Sequence, residues 1–144
     1  MRLVNIFFGL TLFISSSVYA APLISAKEAA LPAATGTLET RGISRGPAVK
    51  LESPEVDLPI TSPFDLKVAF EARGESKIDV STAKVIYLKS PFVDLTPRLK
   101  NAITATGIDF SKAEVPPGTH SIRVTIKDTD GRETNSVLTL IVKK

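Results

Sequence analysis

The chain has 144 residues, of which 43% are hydrophobic and 23% charged, with one His and no Cys or Trp. This hydrophobic fraction, combined with charges of both signs, is typical of a globular domain and argues against a wholly disordered chain. The lack of Cys excludes a disulfide scaffold, a thiol nucleophile and a thiolate metal site, and a single His excludes a His-rich metal centre.

Residues 1–20 have the three parts of a secretory signal peptide. Arg2 is the only charged residue there, an apolar run extends from Leu3 to Ile14, and small residues follow. This pattern predicts Sec-type export with cleavage between Ala20 and Ala21. The apolar run is shorter than the roughly 20 residues that a membrane-spanning helix requires. We therefore expect a periplasmic or secreted protein that has no stable membrane span after cleavage.

The charge of the chain is nearly balanced once the signal is removed. Loss of Arg2 leaves 17 basic residues against 15 acidic ones, without any basic cluster. Nucleic-acid binding requires clustered Lys and Arg side chains that displace counterions from phosphates. The sequence therefore predicts no nucleic-acid partner.

Residues 21–46 are rich in Ala, Thr, Gly, Ser and Pro, and their apolar side chains are mostly small. Such a segment buries too little surface to offset the entropy that ordering would cost. We interpret it as a flexible linker, within which Ser25 to Leu31 would form one or two helical turns.

Alternating apolar and polar side chains begin after this linker and predict β-strands. Phe64 to Glu71 and Lys84 to Lys89 alternate with a period of two residues. His120 to Lys127 and Asn135 to Val142 do the same, and the turn-forming sequence Asp128–Arg132 separates them. The last two segments therefore form a hairpin.

Thr96-Pro97 is a predicted helix start, with a hydroxyl cap followed by a residue that needs no amide donor. Short strands separated by Pro and Gly turns, with one short helical crossover, predict an all-β fold over 47–144, an antiparallel sandwich. A domain of this length buries about two-thirds of its unfolded surface, enough to fold alone.

The stretch Val115–Arg132 resembles the last hairpin of bacterial immunoglobulin-like domains, which are similar to fibronectin type III domains. It contains a Pro-Gly turn, an alternating strand and an Asp-x-x-Gly turn. Ile60–Phe64 resembles the entry to the second strand of these domains, so the resemblance covers residues 47–144. It implies an immunoglobulin-like β-sandwich, and family members commonly serve as spacers, adhesion modules or docking domains in envelope proteins.

The resemblance also gives two residues an expected structural role. Related sandwiches place a Tyr near the start of the penultimate strand, where its hydroxyl bonds back to the preceding turn. In this chain His120 stands there, two residues after Gly118 of the Pro-Gly turn. We expect the His120 imidazole to supply the same hydrogen bond.

A Ca²⁺-dependent binding module is the first alternative. Asp128, Asp130 and Glu133 form an acidic cluster at the predicted turn and are candidate partial metal ligands. Ca²⁺ requires six to eight oxygen ligands, so further carboxylates such as Asp79 or Asp94 would have to join them. Turn geometry selects Asp and Gly in any case, and we expect no bound cofactor.

A small periplasmic hydrolase is the second alternative. His120 is the only imidazole, and no Ser lies in a Gly-x-Ser-x-Gly elbow. No catalytic residue is therefore assigned. Tyr87 and Phe92 are either core residues or an exposed aromatic patch for a partner.

The favoured hypothesis is an exported, non-enzymatic immunoglobulin-like module for protein binding or structural support in the cell envelope. Its partner would be an envelope or extracellular protein. Recognition is expected at the Asp128–Arg132 turn, in the Ser90–Lys100 segment, or by addition of a strand to a sheet edge, since loops on a rigid scaffold commonly carry recognition.

Overall fold

The computed structural model describes residues 22–36 and 45–144. The predicted signal peptide with its cleavage site at Ala20 and Ala21, and residues 37–44 of the predicted linker, lie outside the described residues.

Eight strands and two single-turn helices follow one another along the described chain. In order they are α1 (Ala26–Ala29), β1 (Ala48–Ser53), β2 (Phe64–Glu71), β3 (Ile78–Tyr87), β4 (Val93–Asp94), α2 (Thr96–Leu99), β5 (Ile103–Thr104), β6 (Gly107–Ala113), β7 (Gly118–Asp128) and β8 (Glu133–Val142).

The strands form two four-stranded sheets. Sheet 1 has the order β1-β2-β6-β5, and sheet 2 has the order β4-β3-β7-β8. All neighbouring strands are antiparallel. The predicted all-β, antiparallel class is confirmed, and the predicted helical crossover is α2, which connects β4 of sheet 2 to β5 of sheet 1.

The hairpin predicted at the end of the chain is present as β7 and β8, which pair in an unbroken register from Gly118↔Val142 to Lys127↔Glu133. The side chains of His120, Ile122, Val124 and Ile126 are buried, and the residues between them are partly exposed. The period of two in the sequence therefore assigned the inward face of β7 correctly.

Strand β3 begins earlier than its alternation predicts. It starts at Ile78 rather than Lys84, and its pairing with β7 shifts register between Asp79 and Lys84. Within this bulge the Thr82 hydroxyl donates to the Asp79 carbonyl at 2.7 Å and accepts the Lys127 amide at 2.9 Å. A bulge interrupts the alternation, which is why the first half of this strand is hidden in the sequence.

The predicted hydroxyl cap of α2 is wrong, although the helix exists. Its N-cap is Leu95, which makes no side-chain cap bond, and Pro97 lies in the first turn. The Thr96 hydroxyl instead accepts the Val85 amide of β3 at 2.9 Å. A bond to the neighbouring strand thus replaces the local cap.

The buried apolar residues form a hydrophobic core cluster. Its buried members come from both sheets, from α2 and from the N-terminal segment, and they include Leu66, Val68, Phe70, Val85, Tyr87, Leu95, Leu99, Ile108, Val115, Ile122, Val124, Ile126 and Leu140.

Residues 22–36 differ from the expected flexible linker, because they pack against the two-sheet domain. Leu23 and Ile24 are each only 1% exposed and belong to the core. Their amides donate to the Glu114 carbonyl, at 3.0 and 3.3 Å. Further along, Ala33 forms an antiparallel bridge with Lys89. Two adjacent large apolar residues anchor a segment whose average composition suggests no core contribution.

A capping box and an ion pair hold helix α1 in place. The Ser25 amide donates to Glu28 Oε2 at 2.9 Å, and the Glu28 amide donates to Ser25 Oγ at 3.2 Å. The Arg98 guanidinium donates to both Glu28 carboxylate oxygens and to the Leu23 carbonyl. Hydrogen bonding from Arg98 outweighs the opposing effect of burial and lowers the pKa of Glu28 to about 2.

We expect Glu28→Gln to lower the free energy of unfolding by about 1–2 kcal/mol at pH 7, because Gln preserves the capping box but removes the charge. The Arg98 side chain stays 35% exposed, so solvent screens the pair and keeps the effect modest. The folded-state pKa lies below the ordinary value of 4.5, so this stabilisation is present above pH 4.5 and is lost as the pH falls towards 2.

Urea unfolding of both proteins between pH 7 and pH 3 checks this expectation. Lys50→Met is the matched control, because the Lys50–Glu71 pair is 62% and 57% exposed and should contribute almost nothing. Equal effects of the two substitutions at pH 7 would contradict the assignment.

Candidate functional site

The Asp128–Arg132 turn is organised around one buried carboxylate. Asp128 is 2% exposed. Its Oδ1 accepts the amides of Asp130 at 3.0 Å and Arg132 at 2.9 Å, and its Oδ2 accepts Arg132 Nε at 2.8 Å. Burial raises the pKa of Asp128, but the bonds from Arg132 and Asp130 outweigh it and hold the pKa below its ordinary value. The carboxylate is therefore ionised and paired with Arg132.

Arg132 also connects this turn to the loop between β2 and β3. Its Nη2 donates to Ser76 Oγ at 2.6 Å and to Asp130 Oδ2 at 3.1 Å. The Ser76 hydroxyl in turn donates to Asp130 Oδ2. These bonds fix two loop tips relative to each other, which is a structural role for the acidic turn.

The three predicted metal ligands do not converge. Asp128 and Asp130 are directed to Arg132, whereas Glu133 pairs with Lys127 at 3.5 Å. Within residues 22–36 and 45–144, no group of three or more His, Cys, Asp or Glu side chains has an arrangement that could hold a metal ion. A guanidinium thus lies where the Ca²⁺ hypothesis requires a cation.

The two further carboxylates considered for this site also have local partners. Asp79 accepts the Ser81 hydroxyl at 2.6 Å, and Asp94 accepts the Thr96 amide at 2.9 Å. Neither is bonded to the Asp128–Arg132 turn. Neither Asp79 nor Asp94 therefore completes the predicted ligand set.

We expect millimolar Ca²⁺ to shift the thermal midpoint by less than about 1 °C, because a ligand raises stability only by binding the native state. Scanning calorimetry with Ca²⁺ and with EDTA checks this, and Mg²⁺ at the same ionic strength controls for screening. A rise of several degrees with Ca²⁺ alone would restore the Ca²⁺-dependent alternative.

His120 makes the hydrogen bond expected of it. Its Nε2 lies 2.7 Å from the Pro116 carbonyl oxygen in the preceding turn, and its Nδ1 lies 2.8 Å from the Tyr87 hydroxyl. Because a carbonyl only accepts, Nε2 carries the proton, and the neutral imidazole accepts the Tyr87 hydroxyl at Nδ1. The imidazole therefore uses both nitrogens, and His120 is only 3% exposed.

Burial sets the titration of this pair. It lowers the pKa of His120, assisted by the charge of Lys89 and opposed by the bond to the Pro116 carbonyl. Burial also raises the pKa of Tyr87, so its hydroxyl stays protonated. The arrangement holds the start of β7 and leaves no accessible lone pair for base catalysis.

Gly118 occupies a position that favours glycine. Its φ is +135°, in the region where L side chains are strained. The structural role that we expect of Gly118 in the Pro-Gly turn is therefore consistent with its backbone conformation.

The two aromatic residues considered as a patch, Tyr87 and, within the Ser90–Lys100 segment, Phe92, do not share one exposed surface. Tyr87 is fully buried, whereas Phe92 is 55% exposed. The Arg123 guanidinium carbon lies 5.4 Å from the centre of the Phe92 ring, within cation–π distance. Phe92 is thus held at the surface beside β4.

The same segment borders an open groove of about 590 Å³ at the edge of β3. Strand β4 pairs only with Ile86 and Tyr87, so it leaves the first part of this edge uncovered. Both apolar and polar side chains line the groove, namely Val80, Ser81, Ala83, Asp94, Thr96, Pro97, Lys100 and Ile103.

Sequence reasoning missed Arg123 and the groove. Arg123 occupies one of the outward positions of β7, which identifies its face but not its neighbours. The groove is formed by residues from β3, β4, α2 and β5, and only the tertiary structure brings these together.

Among residues 22–36 and 45–144, no helix is long and apolar enough to cross a membrane. Comparisons with protein-family models, curated proteins and solved structures found no match to this chain. Its function therefore has to be inferred from the arrangement of its own strands and surface residues.

Proposed function

We propose that this chain is an exported immunoglobulin-like domain that binds a protein partner in the cell envelope and performs no catalysis. The strand order supports the family assignment. Sheet 1, β1-β2-β6-β5, corresponds to strands A, B, E and D of immunoglobulin constant domains, and β3, β7 and β8 correspond to C, F and G. Strand β4 would then be an extra edge strand beside C.

The proposed lack of catalysis rests on the surroundings of the one histidine. General base catalysis requires an imidazole within reach of a substrate proton. Both nitrogens of His120 are bonded inside the domain, to Tyr87 and Pro116. The buried carboxylate of Asp128 is paired with Arg132, and the buried Tyr87 hydroxyl is bonded to His120.

The exposed ring of Phe92 carries the proposal of partner binding. A side chain of this size gains about 1.5–3 kcal/mol from full burial, yet this one is 55% exposed on a two-sheet scaffold. Aromatic and Arg side chains are enriched at the centres of protein interfaces, and here Phe92 and Arg123 lie together. Export is supported by the signal-like residues 1–20 and by the absence of Cys.

Photo-crosslinking in the source cell tests this function. The full chain with its native signal carries a benzophenone amino acid at Phe92, and the control carries it at Val56, which is 61% exposed in the loop after β1. We expect a discrete cross-linked partner from position 92 alone, on a protein whose N-terminus is Ala21. Equal patterns at both positions, or none, would overturn the binding role, and a retained signal would overturn cleavage.

A further inference from the structure

A charged residue, Arg123, lies between two apolar residues on the outer face of sheet 2. Arg123 of β7 pairs in register with Ile86 of β3 on one side and Val137 of β8 on the other. With Phe92, these four residues form what we name the Arg123 patch. Val137 is 36% exposed and Phe92 55% exposed, so Arg123 has exposed apolar side chains beside it on an open face.

The Arg123 side chain has an unsatisfied donor. Its Nε is shielded from solvent and has no hydrogen-bond partner in the described part of the chain. Buried polar groups in native proteins are nearly always paired, because an unpaired one costs about 1–3 kcal/mol. The contact with Phe92 holds the guanidinium in place but offers no acceptor for this N–H.

Two of the charged residues on this face have partners of their own, and Lys84 of β3 adds a second positive charge that acts on Asp94. Lys127 contacts Glu133 at 3.5 Å, and Asp94 accepts the Thr96 amide. Among the ion pairs of residues 22–36 and 45–144, none includes Arg123. Within the described residues, the Arg123 guanidinium therefore has no carboxylate partner.

We propose that the Arg123 patch binds a Glu or Asp side chain of the partner protein, flanked there by aliphatic residues. This inference rests on the proposed function and names the chemistry of its partner. A carboxylate would form a bidentate ion pair with the two terminal Nη groups of the guanidinium, because the shielded Nε–H is out of its reach. The aliphatic flanks would cover Ile86, Phe92 and Val137 and exclude water from the ion pair.

A peptide titration tests the chemistry directly. The exported, ¹⁵N-labelled protein is titrated with acetyl-Val-Glu-Val-amide and with its Gln counterpart, and the Arg123 Nε–H signal is assigned by its loss in Arg123→Lys. We expect a saturable shift of this signal with the Glu peptide only. No saturable shift, or equal shifts with both peptides, would overturn the carboxylate assignment.

Cross-linking from Val137 separates this inference from the proposed function. We expect Arg123→Gln to reduce the cross-linked partner at least about tenfold, and Arg123→Lys to reduce it nearly as much, since Lys lacks the fork. A thermal melt of each variant verifies folding. Undiminished cross-linking in folded variants would overturn the carboxylate inference and leave the binding function standing.

Two other results of the cross-linking experiment would also overturn the acidic-partner inference. A product with twice the mass of the chain would identify a second copy as the occupant and overturn the acidic partner. Absence of any product at both Phe92 and Val137 would remove the binding function together with the inference.

Discussion

Replacing Leu23 with alanine is expected to lower the free energy of unfolding by about 2–4 kcal/mol, the range for a large-to-small change at a fully buried site. Leu23 is 1% exposed, and its amide donates to the Glu114 carbonyl at 3.0 Å. The substitution removes apolar contacts and leaves a cavity beneath the N-terminal segment. Urea unfolding at pH 7 measures the difference, provided the m-value is unchanged.

Leu58→Ala is the matched control for this experiment. It makes the same chemical change at a residue that is 52% exposed, so we expect an effect within about 0.5 kcal/mol. If Leu23→Ala were as mild as this control, residues 22–36 would be a linker after all. A large effect makes the segment part of the folded domain, whose ordered chain then begins at most two residues after the predicted cleavage site.

Replacing His120 with phenylalanine is expected to lower the free energy of unfolding by about 2–4 kcal/mol. The phenyl ring fills similar space but leaves the Tyr87 hydroxyl and the Pro116 carbonyl without their partner, and each buried unpaired group costs about 1–3 kcal/mol. Thermal and urea unfolding of the purified variant measure the loss.

The double variant Tyr87→Phe, His120→Phe makes the result specific. It removes both partners of one hydrogen bond, so it should be less destabilised than the sum of the two single variants. Strict additivity would show that the bond between Tyr87 and His120 contributes nothing, and would remove the structural assignment of this histidine.

The pH dependence gives His120→Phe a second readout. Burial lowers the pKa of His120 below its ordinary value of 6.5, so the unfolded chain takes up a proton that the native state resists. The native protein should therefore lose stability as the pH falls below about 6.5, and the variant should lose less over the same interval. Equal slopes for the two proteins between pH 7 and pH 5 would contradict this cause.

Local sequence patterns determined much of the fold because each pattern reports which side of a strand faces the core. The alternation of β7 and β8 and the turn between them needed no knowledge of other segments. The bond of His120 to the preceding turn, which the resemblance implies, is also local, since its acceptor Pro116 lies four residues away. Composition and the missing Cys limited the chemistry before any contact was known.

Only the tertiary structure decided the contacts between distant segments. The pKa of Glu28 is lowered to about 2 by hydrogen bonding from Arg98, which lies 70 residues further along the chain. Thr96 caps no helix because the Val85 amide of β3 uses its hydroxyl. The carboxylate of the acidic turn is paired within the domain because Arg132 folds back onto Asp128 and reaches Ser76.

The surface residues proposed to bind a partner also depend on contacts between distant segments. Phe92 and Arg123 are 31 positions apart in a sequence that does not connect them, and they meet because β4, β3 and β7 are neighbours in one sheet. Sequence alone determined which residues alternate and which chemistries are missing, since both are properties of nearby residues or of composition. The tertiary structure decided which polar groups find partners, because hydrogen bonds and ion pairs depend on distances that strand order sets.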